Sequence, residues 1–425
     1  MSIFHPDIRG EDVLPWLDLL GLIARGVFYV FFDLTFWLVL ALVAFQYRQM
    51  QKDQLRMFSV PGPSLRQQVM TAAAIGAAGG VIGSFVLTFV GVPLNNLGLA
   101  YIWPVVIALM LVNIRFMCFA YAGGLVAVSN VLFGWPEVNV PQVIALVAAL
   151  HVTEAILIFV SGRYGAVPMI LKKDDGRLVG AFTLQNFWPL PLVLLAATSV
   201  PEASLPAVIK MPDWWPLLPI GQDPPAGHTW LYAMVPVVAA LGYGDVAVSS
   251  TPAERRRQSA FHLALYSLVL LGLAVLSAKY AWLQFFAAVL SPAGHELLVR
   301  LDNRREMRGE PRFVPPARGV MVLDTVAATP ARQAGLRPGD IILDLGGLGV
   351  DNGFELARAI SFAPDEFNIT VNRAGAVARR PARYVNGERR LGVIIVPEGH
   401  EQHYAQLVGN RFGLIDWLRN KFRRR

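Results

Sequence analysis

Long apolar runs follow one another from residue 27 to residue 298 and then stop. A helix needs about 20 mostly apolar residues to cross a bilayer, and stretches near that length fall at about 27–47, 69–91, 97–113, 116–134, 141–162, 187–203, 229–249, 259–278 and 280–298. The sixth is short and proline-rich, and the ninth also suits an interfacial position. The pattern therefore predicts an α-helical polytopic membrane domain of about eight to nine spans. Beyond it the period changes. GVMVLDTV (319–326) alternates with period two, as a strand does. In TPARQAGL (329–336), Thr329 is placed to cap a short helix, with Pro330 at its first position and a stop at Gly335. RPGDIILDLGG (337–347) is a turn feeding a strand, with Asp340 positioned to accept backbone hydrogen bonds. DNGFELARAISF (351–362) reads as a helix capped by Asp351, with Phe354, Leu356, Ala359 and Ile360 on one face, and FNITVNRAG (367–375) as a strand ending in a glycine turn.

Composition sharpens this division. Of 425 residues, 55% are hydrophobic and only 16% charged, with mean hydropathy +0.47, and the excess lies before residue 299. The expected organisation is an interfacial segment (1–26), a transmembrane domain (27–298), a basic linker (299–318), a small α/β domain (319–396) and a basic tail (397–425). The first 26 residues hold Asp7, Glu11, Asp12 and Asp18 and lack a basic leader, so no cleavable signal is expected. Cys118, the single cysteine, forms no intrachain disulfide and reads as a small buried hydrophobe. The net charge of +7 matters less than its placement. Basic residues gather in alternate connections: Arg48 to Arg66, Arg115, Arg163 to Arg177, Arg255-Arg256-Arg257, and Arg300 to Arg308. By the positive-inside rule these face the cytoplasm, together with residues 299–425. PDWWPLLPIG (212–221) lies in the longest outer loop, where Trp214 and Trp215 suggest a re-entrant interfacial segment.

SPAGHELLVRLDN (291–303) is one candidate for chemistry. His295-Glu296 begins H-E-x-x-H, whose two histidines hold zinc while the glutamate serves as base. The second histidine is replaced by Val299, no third ligand follows on a later span, and HEQH (400–403) lies outside the membrane part. An intramembrane site-2-type zinc protease, or an inactive relative, is thus an alternative lacking most of its ligands. In the fifth apolar run His151 and Glu154 are three apart and share a helix face. Ionisable groups within a span are functional candidates, so a small-solute or proton-coupled transporter using Glu154 is a second alternative; a hydrogen-bonded pair locking helices is the simpler reading. Asp33, Asp245 and His262 sit near other span ends. IGAAGGVIG (75–83) supports close helix packing. No phosphate loop, dinucleotide fingerprint or cysteine cluster is present. The expectation is a non-enzyme without cofactor, catalytic residue, metal site or nucleic-acid partner.

The run TPARQAGLRPGDII resembles bacterial PDZ domains, which implies a partly open β-barrel with two helices that binds peptide or protein C-termini by strand addition, with a backbone nest for the carboxylate. The nest would come from Leu391-Gly392-Val393, preceded by Arg389 and Arg390 and continued by Ile394, with Phe354 and Ala357 on the facing helix. Residues 404–425 form a basic amphipathic C-terminal helix by pattern. Arg411, Trp417, Arg419, Lys421 and Phe422 there suit an anionic lipid surface.

The segments TEAILIFVSGRYGAVP (153–168), FWPLPL (187–192) and WWPLLPIG (214–221), joined to the PDZ-like run, resemble the MinJ-type division-site topology proteins of Gram-positive bacteria. That resemblance implies a multi-pass protein of the bacterial cell membrane at septum and poles. It also implies a non-enzymatic scaffold in septum site selection, linking MinD-like and DivIVA-like division proteins.

Overall fold

The computed structural model describes all residues except 1–2, 7–13, 59–63, 96, 117, 163, 205–208, 386–387 and 407–425. After a short strand β1 (Ile3–Pro6), the first part of the chain is helical: α1 (Trp16–Val30), α2 (Leu34–Phe58), α3 (Leu65–Val90), α4 (Leu99–Val112), α5 (Phe119–Phe133) and α6 (Val140–Ser161). The span expected at 27–47 is instead two helices meeting at 72°. Asp33 causes the break, because its carboxylate accepts the Thr35 amide at 2.7 Å and so starts a new helix. With 14 and 15 residues, α4 and α5 reach about 21–23 Å, short of the ~30 Å hydrocarbon core.

The apolar stretches at 187–203 and 229–249 are not helices. They belong to β3 (Leu178–Pro201) and β5 (His228–Ala247), which follow β2 (Ala166–Lys172) and flank β4 (Ile209–Met211). β3 and β5 pair antiparallel from Phe182↔Ala247 to Pro201↔His228. Pro189, Pro191 and Pro236 explain the difference, since each interior proline costs a helix about 3 kcal/mol. Apolar length alone does not separate a helix from a buried strand. The polytopic expectation of eight to nine spans is reduced accordingly. Among the described residues α3, α6 and α7 (Pro252–Lys279) are long and apolar enough to cross a membrane, with the bent α1–α2 pair a fourth if taken as one.

A two-stranded ribbon in an apolar setting must satisfy its outer backbone groups, and β3 does so residue by residue. On the edge turned away from β5, the Gln185 amide donates to Gly165 O at 3.4 Å and the Phe187 amide to the Tyr47 hydroxyl at 3.3 Å. Pro189 and Pro191 have no amide proton to satisfy. Val193 donates to Ser84 Oγ at 2.8 Å, and Ala197 to Asn95 Oδ1 at 2.8 Å. Between these anchors α3 lies against the strand through glycine. A Cβ added at Gly76 or Gly80 would fall 2.2 or 2.1 Å from the carbonyl oxygens of Pro189 and Pro191. The loop at 212–221 caps the far end. Trp215 is buried with its indole N–H on Thr88 O at 2.8 Å, whereas its neighbour Trp214 is exposed.

After α7 and α8 (Leu283–Arg308) comes a strand-rich unit: β6 (Val320–Thr325), α9 (Pro330–Gln333), β7 (Ile341–Leu345), β8 (Leu348–Gly349), α10 (Gly353–Phe362), β9 (Glu366–Arg373), β10 (Ala376–Arg383) and β11 (Val393–Ile395). Its sheet order is β10-β9-β7-β6-β11, and β8 pairs with β7. The first sheet runs β12 (Ala405–Gln406)-β2-β3-β5-β1-β4. Asp340 holds the turn before β7, accepting the Arg337 amide at 2.8 Å and the Arg373 guanidinium at 2.7 Å. Two caps differ from expectation. Asn352, not Asp351, caps α10 through the Glu355 amide, while Asp351 accepts the Gly319 amide. Thr329 precedes α9, but its hydroxyl donates to Val326 O.

The strand-rich unit is seated on one end of the β3–β5 ribbon. The Gly180 amide donates to Phe313 O at 2.9 Å, the Arg312 amide to Val248 O at 2.9 Å, and Lys173 Nζ to Gly309 O at 3.3 Å. Phe313 packs edge-on against Phe182, and Leu323, Ile394 and Val396 join the apolar core of the helical part. The same end collects the basic connections that the sequence separates. There Arg255 meets Asp245 at 2.9 Å, and Glu306 accepts the amides of Val248 and Ser249 and the hydroxyl of Ser250.

Candidate functional site: an edge strand facing a helix

Among the described residues β11 pairs in its sheet only with β6, and α10 stands beside its second edge. Alternation along β11 directs Val393 and Ile395 to the side of Leu356 and Ala359, with Ile395 against Gly353, where a Cβ would lie 2.8 Å from its Cδ1. Ile394 points the other way, into the core shared with Leu323 and Phe313. It is therefore a junction residue and not a groove residue. Ala357 is exposed on α10, and Phe354, 78% exposed, stands on its rim rather than on the face of Leu356 and Ala359.

Just before β11 Gly392 has φ +77°, and a Cβ there would meet Thr329 at 2.3 Å; only glycine fits this turn. Buried Leu391 gives its carbonyl to the Ala331 amide, and the Gly392 carbonyl accepts the Val326 amide. Both carbonyls are thereby turned inward. Arg389 does not reach for a ligand. Its guanidinium donates to Ser361 O at 2.6 Å and Ala363 O at 3.1 Å, closing the C-terminal end of α10. Arg390 is exposed and remains the cation at this turn. Arg411, Trp417, Arg419, Lys421 and Phe422 lie outside the described residues.

In the helical part, the hydrogen bonds of His151 go not to Glu154 but to Val147 O at 2.7 Å and Cys118 Sγ at 3.3 Å. Glu154 is half-buried on the same helix. The expected His151–Glu154 lock is thus replaced by a contact between α6 and the start of α5. His295 comes to the same sulfur, with Nε2 3.8 Å away. Separations of 33 and 177 residues hide this grouping from any local pattern. Glu296 is engaged elsewhere, accepting the Tyr121 hydroxyl at 2.8 Å and the guanidinium groups of Arg115 and Arg300. A carboxylate held by two cations is a poor general base. His262 and Asp302 pair at 2.8 Å near Arg255, a contact between α7 and α8.

No family model matches the chain. Among curated proteins, the cell division topological determinant MinJ of Bacillus subtilis (strain 168) is 23% identical over 268 residues, an alignment that covers 61% of this chain and 63% of that protein. The chain thus spans less than two thirds of this relative's length.

Proposed function

We propose that the chain is a non-enzymatic membrane adaptor for division-site placement, whose strand-rich unit is a PDZ-type module that takes an extended peptide between β11 and α10. The edge of β11 that no described strand occupies, beside α10, carries this reading. Strand addition supplies main-chain affinity and the helix wall supplies side-chain selection. The similarity to a division topology determinant supports the process, with MinD-like and DivIVA-like proteins as partner classes. The apolar helices support a multi-pass position in the cell membrane. Exposed Arg300, Arg304, Arg305 and Arg308, at the end of the molecule where the other basic connections gather, support a cytoplasmic groove near anionic lipid. Held there, the groove meets membrane-bound partners at raised effective concentration.

Crosslinking capture from native membranes tests the groove. Gly392→Asp removes the φ +77° glycine and also strains the turn, so Ala357→Arg is the cleaner variant, placing a long cation on an exposed position without a packing clash. Capture of division proteins should fall at least tenfold in Ala357→Arg while the protein stays folded. Equal capture by both variants and wild type would remove the groove from the adaptor reading.

A further inference from the structure

Cys118, His151 and His295 come from three different helical segments and place their ligand atoms within 4.8 Å of one another. We propose that these three side chains bind one zinc ion, a site independent of the peptide groove. Around tetrahedral zinc, with Zn–S near 2.3 Å and Zn–N near 2.0–2.1 Å, sulfur and nitrogen ligands lie about 3.4–3.6 Å apart. The observed 3.3 Å from Cys118 Sγ to His151 Nε2 and 3.8 Å to His295 Nε2 bracket that spacing.

The surroundings prepare each donor. His151 is buried, and its Nδ1–H donates to Val147 O at 2.7 Å, which leaves the Nε2 lone pair aimed at the sulfur. A carbonyl partner on the far nitrogen is the usual outer support of a metal-bound imidazole. Cys118 is the N-cap of α5, and the Ala120 amide donates to its sulfur at 3.4 Å. His295 is held edge-on by the rings of Tyr121 and Tyr266. His295 Nδ1 is buried without a hydrogen-bond partner, so no bond on its far side sets its tautomer, and a cation at the centre would take one lone pair from each of the three donors. One thiolate and two imidazoles suit zinc and disfavour magnesium, calcium and manganese.

Bound there, the ion would tie the start of α5 to the middle of α6 and to α8, the helix that leads into the strand-rich unit. Three protein ligands leave the fourth tetrahedral position for water or a small ligand. With Glu296 committed to Arg115, Tyr121 and Arg300, the site lacks the adjacent base of a zinc hydrolase. Its role is to brace the helices.

The test uses the full chain purified in detergent. Stripped wild type is titrated with zinc and, separately, with cobalt(II), and metal content is counted by mass spectrometry. About one zinc per chain is expected, with a thiolate-to-cobalt charge-transfer band that zinc abolishes. Cys118→Ser should lose the band, and His295→Gln should weaken zinc binding at least tenfold, while Glu154→Gln keeps both. Folded wild type that takes up neither ion, or that binds copper(I) but not zinc, overturns the assignment. So does a cobalt spectrum without the thiolate band. Because wild type itself supplies the spectrum, a variant that fails to fold does not decide the outcome.

Discussion

Ser84 illustrates how much one buried hydroxyl does. Its oxygen accepts the Val193 amide at 2.8 Å and donates to Gly80 O at 2.6 Å, fully buried. Ser84→Ala leaves that amide without an acceptor, a loss of about 1–3 kcal/mol, which thermal unfolding in detergent should register as a lower midpoint. Gly80→Leu should be worse, because its side chain would have to displace the Pro191 carbonyl, which is backbone and cannot swing aside. Glu306 offers a pH readout at the same scale. Burial pushes its carboxyl up, but hydrogen bonds from Ser250, Val248 and Ser249 and the nearby Arg255 hold it below its ordinary value of 4.5. A lowered folded-state pKa gives stability that is complete above the unfolded-state value and is lost as pH falls through the folded one. Melting curves from pH 7 to pH 3 should therefore show an acid loss that is blunted in Glu306→Gln, which at pH 7 should cost about 2 kcal/mol.

At the scale of elements, the closest approach between the ribbon of β3 and β5 and the segment leading into the strand-rich unit is at Gly180, beside Phe313 and Leu323. Gly180→Val should separate them, since a Cβ there would lie 2.9 Å from both Leu323 and Phe313. Limited proteolysis should then cut near residues 309–318 at least severalfold faster than in wild type, with the helical part intact. What the sequence discloses about elements depends on where the deciding information sits. TPARQAGLRPGDII is legible because Pro330, Gly335, Gly339 and Asp340 act within a few residues, and β6, α9 and β7 follow in that order. The helices α3, α6 and α7 are legible because length and apolarity suffice. Hydropathy ignores period, so β3 and β5 have the apolar length of spans without the helical conformation. Pro189, Pro191 and Pro236 were the available signal, since they delete amide protons where no partner strand waits. Within the groove, Gly392 was legible as a turn residue, whereas the inward direction of Ile394 depends on Phe313 and Leu323. The grouping of Cys118 with His151 and His295 depends on three helices packing together, and no periodicity contains that.

Over the whole molecule, the strand-rich unit keeps its own core around Val322, Ile342 and Val371 and adds Leu323, Ile394 and Val396 to the core of the helical part. Leu323, Ile394 and Val396 on one side and Phe182 and Phe313 on the other are buried together. The two parts should therefore unfold together, as a single transition when followed by fluorescence and by proteolysis, and Phe313→Ala should split it in two. A cavity left by a buried phenylalanine costs about 3–5 kcal/mol.

That shared packing also bears on which way the proposed groove would look. A module on a slack leash samples all orientations, and a ligand must find it in three dimensions. Here β6 and β11 are clamped to the ribbon by Gly180, Phe313 and Ile394, so the second edge of β11 keeps a constant height and compass bearing on the body that carries it. In a membrane, every copy would then offer that edge at the same altitude above the lipid. On the adaptor reading proposed above, the meeting with a membrane-bound partner would become a search in a plane, with one rotation left to match.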